Sequence, residues 1–63
     1  MNNRRRNKIQ AALDILEEAK FDEQEAFDNL PESFQYGEKG ERMEEAMNYL
    51  DDAISSLEEA VLA

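Results

Sequence analysis

The chain lacks cysteine, histidine and tryptophan, and it has one proline and two glycines among its 63 residues. Without cysteine it cannot form a disulfide, and without cysteine and histidine it cannot build a structural zinc site. A core of this size gains little more free energy than chain ordering costs, so small chains without such cross-links commonly self-associate. The sequence therefore predicts a single domain that forms a homodimer.

Long apolar runs are also missing. A helix that crosses a bilayer needs about 20 apolar residues, and no segment of this chain approaches that length. The basic start, residues 4–8, is followed by Ile9 and soon by acids, without the apolar stretch of a signal peptide. We therefore expect no membrane association and a cytoplasmic location.

Basic residues are few and concentrated at the N-terminus. Seven Lys and Arg stand against sixteen Asp and Glu, which gives a net charge of −9. Four of the seven are Arg4, Arg5, Arg6 and Lys8. The acidic remainder is unsuited to binding phosphates, so nucleic acid is an unlikely partner. It suits a basic protein surface, although acidic faces also serve solubility alone.

One tetrad, a large apolar residue followed by two acids and alanine, recurs four times. The copies are Leu16-Glu17-Glu18-Ala19, Met43-Glu44-Glu45-Ala46, Leu50-Asp51-Asp52-Ala53 and Leu57-Glu58-Glu59-Ala60. The last three are seven residues apart, which is two helical turns, so they present the same residue types in the same direction. The apolar seam is Met43, Met47, Leu50, Ile54, Leu57 and Val61, with Ala53 beside it. This pattern predicts a second helix over residues 41–62, with Gly40 at its N-cap.

The first half carries a less regular stripe. Its apolar members are Ile9, Leu13, Leu16, Phe27 and Leu30, and Ala12, Ala19 and Ala26 run beside them. Lys20 and Glu23 occupy seam positions, so either their aliphatic stems cover the seam or the helix diverges there and Phe21 makes a separate contact. We predict a first helix over residues 9–29. Residues 1–8 are expected to be a frayed basic arm or to pair with acids of a second subunit.

An elbow over residues 30–40 separates the two helices. Pro31 keeps Leu30 out of the helical region, and it suits the start of a short helical turn over about residues 31–36. Gly37 and Gly40 are expected to allow the reversal of direction, and Phe34 and Tyr36 to cap the end of the core. The fold class is therefore all-α, a helix–elbow–helix hairpin that dimerises into a four-helix bundle or a V-shaped pair.

The paired acids do not predict an enzyme. Glycosidase-type catalysis needs two carboxylates held apart across a cleft, whereas these are sequential acids on the outer face of a helix. Helical metal centres use inward Glu residues with Glu-x-x-His, and this chain has no histidine and one acid, Glu23, near its seam. We expect no catalytic residues, no cofactor and no metal site.

The segment of residues 23–35, EQEAFDNLPESFQ, followed by Gly40-Glu41 and the acidic heptads, resembles small proteins encoded by phages and mobile elements of Gram-positive bacteria. The resemblance spans residues 9–63, and the DNLPES elbow is its distinctive part. It implies an accessory protein that works in a bacterial host cell. Small acidic phage proteins of this build are similar to dimeric inhibitors of bacterial defence systems, so the resemblance implies inhibition of a host protein.

Our functional hypothesis is a non-enzymatic protein that binds and inhibits a basic host protein, with a structural oligomerisation module and a small DNA-binding regulator as alternatives. The expected partner-binding residues are Phe34, Tyr36, Glu44, Glu45, Asp51, Asp52, Glu58 and Glu59. The expected packing residues of the core or dimer are Ile9, Leu13, Leu16, Ala19, Phe27, Leu30, Met43, Met47, Leu50, Ala53, Ile54, Leu57 and Val61.

Overall fold

A computed structural model describes residues 2–63 and has three helices, α1 (Asn3–Asp28), α2 (Glu32–Gln35) and α3 (Glu38–Leu62). The long helices α1 and α3 pack against each other, and α2 packs against α3. The resulting rod measures 48 × 15 × 11 Å along its principal axes. Within the described residues there is no strand. The predicted all-α helical hairpin is therefore confirmed.

Helix α1 begins earlier than predicted. The side chain of Asn2 accepts a hydrogen bond from the backbone N–H of Arg5 at 3.0 Å, which makes Asn2 the N-cap. Such a cap stabilises a helix by about 1 kcal/mol, which offsets at least part of the cost of the basic residues near the positive end of the helix dipole. The prediction of a frayed arm over residues 1–8 is thus wrong for residues 3–8, which are helical; Met1 lies outside the described residues.

Helix α1 is continuous through its two charged seam positions. Lys20 and Glu23 are half-buried, and the Lys20 ammonium forms an ion pair with Asp51 of α3. The stem of Lys20 therefore lies along the seam while its charge reaches a partner at the edge. Of the two alternatives for this region, the structure agrees with a covered seam rather than with a divergence. Phe21 lies outside the seam and is exposed.

The elbow differs from prediction in the roles of its glycines. Pro31, predicted as the first residue of the short helical turn, is instead the N-cap of α2, and Gly37 rather than Gly40 is the N-cap of α3. Helix two therefore begins at Glu38, not at residue 41. Neither glycine has a positive φ, so the reversal does not use left-handed backbone. Gly40 is instead buried in the first turn of α3 because the backbone of α2 passes too close for a side chain.

Gln35 ties the elbow to the end of α1. Its side-chain amide donates to the carbonyl oxygen of Phe27 at 3.1 Å and to that of Leu30 at 3.2 Å. The Phe27 carbonyl oxygen also accepts the backbone N–H of Leu30 at 3.0 Å, so the half-buried Gln35 side chain adds a further donor at the C-terminus of α1. A single residue therefore holds α2 against the C-terminus of α1.

Replacing Gln35 by Glu is expected to destabilise the hairpin by about 2 kcal/mol, because the carboxylate cannot donate and would face two carbonyl oxygens. Urea unfolding at fixed protein concentration measures this loss. The matched control is Gln24→Glu, which removes an exposed amide that donates to Asp28 and should cost about 0.5 kcal/mol or less. Equal losses for both variants would contradict the assigned role of Gln35.

The hairpin core is small. Leu13, Met47 and Ile54 are its buried large side chains. The other predicted apolar seam residues are half-buried: Ile9, Leu16, Phe27, Leu30, Met43, Leu50, Leu57 and Val61. Ala53 is half-buried as well, whereas Ala19 is exposed in the single hairpin. Ala19 was predicted to pack in the core or in the dimer; it is not part of the hairpin core, and its packing in a dimer stays a prediction. Two helices alone cover only part of each seam.

The elbow aromatics do not cap this core. Phe34 is 54% exposed and Tyr36 is 79% exposed, so the expectation that they close the end of the core is wrong. At this end of the hairpin the α2 backbone lies against Gly40 of α3, and the Gln35 side chain donates a hydrogen bond to the last turn of α1. Both aromatics are left free at the elbow surface.

Candidate functional site

The two flanks of the helical seam differ in chemistry. If the seam residues are heptad positions a and d, alanines occupy position g of both helices: Ala12, Ala19, Ala26, Ala46, Ala53 and Ala60. Position e holds polar or acidic residues instead: Gln10, Glu17, Gln24, Glu44, Asp51 and Glu58. In an antiparallel pair, reversal of one helix places like flanks on the same side of the seam. The hairpin therefore has an alanine side, made by position g, and an acidic side, made by position e.

Contacts in the structure place the e positions together. Gln10 of α1 and Glu58 of α3 line the same open cleft, whose floor includes Leu13 and Val61. The ion pair between Lys20 and Asp51 also joins the e flank of α3 to α1. These two features fix the acidic side, and the alanine side is opposite.

The predicted partner-binding acids form one stripe on α3. We call Glu44, Glu45, Asp51, Asp52, Glu58 and Glu59 the acidic stripe; all six are exposed. They occupy positions e and f, so consecutive pairs are about 10 Å apart along the axis at 1.5 Å per residue. Asp51 is paired with Lys20, and the other five form no ion pair within the described residues. The stripe thus presents rigidly spaced negative charge along most of α3.

The structure does not gather all the predicted site residues in one place. Phe34 and Tyr36 lie at the elbow, at the same end of the rod as Glu44. Glu58 and Glu59 lie about 20 Å further along α3, because 14 residues separate Glu44 from Glu58. The aromatics can therefore extend the elbow end of the stripe, but they do not adjoin its far end.

Ile15 and Tyr49 are exposed apolar side chains that lie outside the predicted site. Ile15 and Tyr49 are each 66% exposed and occupy position c, next to the alanine side. Position c normally faces solvent, so a large apolar residue there is a signal that the heptad pattern contained. Positions a, d and g define the seam and its small-residue flank, so the predicted packing set does not include position c.

The exposed surface can contact a partner through the carboxylates of the acidic stripe and through exposed apolar side chains. Among residues 2–63, no three acidic side chains converge closely enough to hold a metal ion. Over the same range, no helix combines the length and apolar character needed to cross a membrane. Comparison with known proteins found no matching family model, no matching curated protein and no matching solved structure. Residue chemistry and geometry are therefore the grounds for assigning a function.

Proposed function

We propose that this protein is a non-enzymatic accessory protein that binds a basic, nucleic-acid-binding surface of a host protein and blocks it. The observation that supports the proposal is the acidic stripe, six exposed carboxylates fixed on one continuous helix. The net charge of −9 adds long-range attraction to any basic groove. The stripe would occupy the place of a nucleic-acid backbone.

Rigidity is the physical advantage of this arrangement. Helix α3 runs for 25 residues without a break, so its carboxylates keep their spacing before and after binding. A preorganised charge array loses little conformational entropy on association, and charge complementarity raises the association rate. Phe34 and Tyr36 are the apolar anchors of the proposal, since exposed aromatics often contribute most to binding energy.

The biological setting of the proposal comes from the DNLPES elbow and its resemblance to small phage and mobile-element proteins. In that setting the protein acts in the cytoplasm of a bacterial host, and a defence protein that binds nucleic acid is the favoured target. The alternative of a DNA-binding regulator loses its main support, because Arg4, Arg5 and Arg6 belong to α1 rather than to a flexible arm.

Capture of host proteins on the immobilised chain tests this function. The stripe-neutral variant carries Glu44→Gln, Glu45→Gln, Asp51→Asn, Asp52→Asn, Glu58→Gln and Glu59→Gln. We expect the unaltered chain to retain a basic nucleic-acid-binding protein at about 50 mM salt and to release it by about 500 mM, as screening weakens charge pairing. The stripe-neutral variant should retain less than about a tenth as much.

A charge-matched control separates the stripe from net charge. The α1-neutral variant removes six acids from the other long helix: Asp14→Asn, Glu17→Gln, Glu18→Gln, Asp22→Asn, Glu25→Gln and Asp28→Asn. It changes the net charge by the same amount, and it should keep most of the binding. If both variants keep their helicity by circular dichroism and lose binding equally, the binding depends on net charge and not on the position of the stripe. Capture of no basic protein at low salt would refute the proposal.

A further inference from the structure

The alanine side leaves a wide apolar face without a neighbour. Apolar residues at positions a, d and g make a stripe broad enough to contact two helices, whereas each long helix of the hairpin has one long neighbour. Leu16, Leu50 and Leu57 are only half-buried in the seam. Ile15 and Tyr49 widen the face at its two borders. The face is therefore built for more packing than the hairpin supplies.

The exposed area of the chain exceeds that of a compact protein of its mass by about the size of one interface. A compact monomer of 7.3 kDa exposes about 4,150 Å², and this chain exposes 4842 Å². The excess of about 700 Å² is close to the roughly 800 Å² that each partner buries in a standard protein interface. Burial of one such interface on the alanine side would lower the exposed area of the chain to about that of a compact monomer.

We infer that the alanine side binds a second copy of this chain, and that the two hairpins run antiparallel, with their elbows at opposite ends of a four-helix bundle. The small g residues let the two hairpins approach closely, and a two-fold axis pairs each alanine side with itself. This inference does not rest on the proposed function. The acidic stripe lies on the other side of the seam, so the dimer leaves it free.

Charge decides the orientation. The elbow portion, residues 22–49, contains nine acids but only Lys39 and Arg42 as basic residues. The opposite end begins with Arg4, Arg5, Arg6 and Lys8. A parallel pair would place two acidic elbows side by side, whereas an antiparallel pair separates them and sets each basic end beside the acids of its partner.

The register of the hairpin makes the basic end available. Because Lys20 meets Asp51, the end of α3 at Leu62 is level with about residue 9 of α1. Residues 3–8 therefore extend about 9 Å past α3, at 1.5 Å per residue. In the antiparallel dimer this basic extension lies along the elbow end of the partner's α1, where Asp22, Glu25 and Asp28 are located.

Sedimentation equilibrium on the full chain tests the interface. We expect a mass twice the 7.3 kDa of one chain, and a dissociation constant that rises with salt. Ala19→Glu should raise that constant by more than about 100-fold, because two unpaired carboxylates would be buried per dimer. Ala19 is exposed in the hairpin, so the variant should keep its helicity, and Ala12→Glu provides a second test at position g.

The matched control is Ala11→Glu, which adds the same charge to the outer face of the same helix and should stay dimeric. A mass of one chain at all concentrations up to about 1 mM would overturn the inference. The inference would also be overturned if Ala19→Glu and Ala12→Glu both stay helical and both keep the dissociation constant of the unaltered chain.

Spin labels test the orientation. Ser33→Cys places one label on the exposed face of the elbow in a chain without other cysteines. Pulsed electron resonance should give a distance between the two labels that is most of the 48 Å rod length. A distance below about 25 Å, as expected for adjacent elbows in a bundle with helices 8–10 Å apart, would overturn the antiparallel arrangement.

Discussion

Replacing Gly40 by alanine is expected to destabilise the chain by about 3 kcal/mol. A Cβ at Gly40 would collide with the carbonyl oxygen of Gln35, and it would lie 2.6 Å from the Gln35 carbonyl carbon and 2.7 Å from the Phe34 carbonyl oxygen. These are backbone atoms, so no side-chain rotation relieves the collision. Helix α2 would have to move away from α3.

A domain of this size has a total stability of only about 3–5 kcal/mol, so Gly40→Ala should leave much of the chain unfolded at room temperature. Thermal and urea unfolding followed by circular dichroism, at fixed protein concentration, measure the loss. Gly37→Ser is the control, because its Cβ would be 3.4 Å from the nearest atom and serine suits an N-cap at least as well as glycine. A Gly40→Ala variant as stable as Gly37→Ser would show that α2 does not pack closely on α3.

Replacing Leu13 by alanine should also cost about 3 kcal/mol. Leu13 is 5% exposed and is one of three buried large side chains, so its loss removes a large share of the hairpin core. A two-helix core has few neighbours that could move to fill the space. Urea unfolding of the full chain measures the effect.

Leu62→Ala is the matched substitution, with the same atoms removed from a residue that is 79% exposed. It should change the stability by less than about 0.5 kcal/mol. If the two variants lose equal stability, α1 and α3 do not pack through the seam that contains Leu13.

Periodicity was sufficient to predict the hairpin. The step of four and three residues from Met43 to Val61 depends only on α-helix geometry, and the structure keeps that stretch in one helix. Pro31 fixed the end of α1 for an equally local reason, since it restricts the backbone of the residue before it. Features that depend on one or two neighbouring turns were therefore readable from the chain alone.

Features that depend on how closely two separate segments of the chain approach each other could not be predicted from the sequence. Gly40 looked like a cap because glycine is common at helix ends, but its role comes from the path of α2 beside α3. Gln35 carried no signal, because its partners are the carbonyl groups of Phe27, in the last turn of α1, and of Leu30, in the loop that follows α1. The start of α1 depends on the Asn2 cap, which acts against the unfavourable charge of the basic cluster and is not evident from the charge pattern.

The candidate site was predictable in composition but only partly in layout. The outward direction of Glu44, Asp51 and Glu58 followed from their spacing, and the structure leaves them exposed. That Asp51 pairs with Lys20 depends on the register between the helices, which the pattern of one helix does not contain. The exposure of Phe34 and Tyr36 likewise depends on how tightly the elbow closes.

Displacement of nucleic acid from the captured basic protein tests the central claim most directly. Fluorescence polarisation of a labelled nucleic acid bound to that protein would be followed while the chain is added. We predict displacement by the unaltered chain and by the α1-neutral variant, at concentrations that rise with salt. The stripe-neutral variant should need at least about 10-fold more protein. Displacement by the stripe-neutral variant at the same concentration as the unaltered chain, or none by the unaltered chain, would contradict the account.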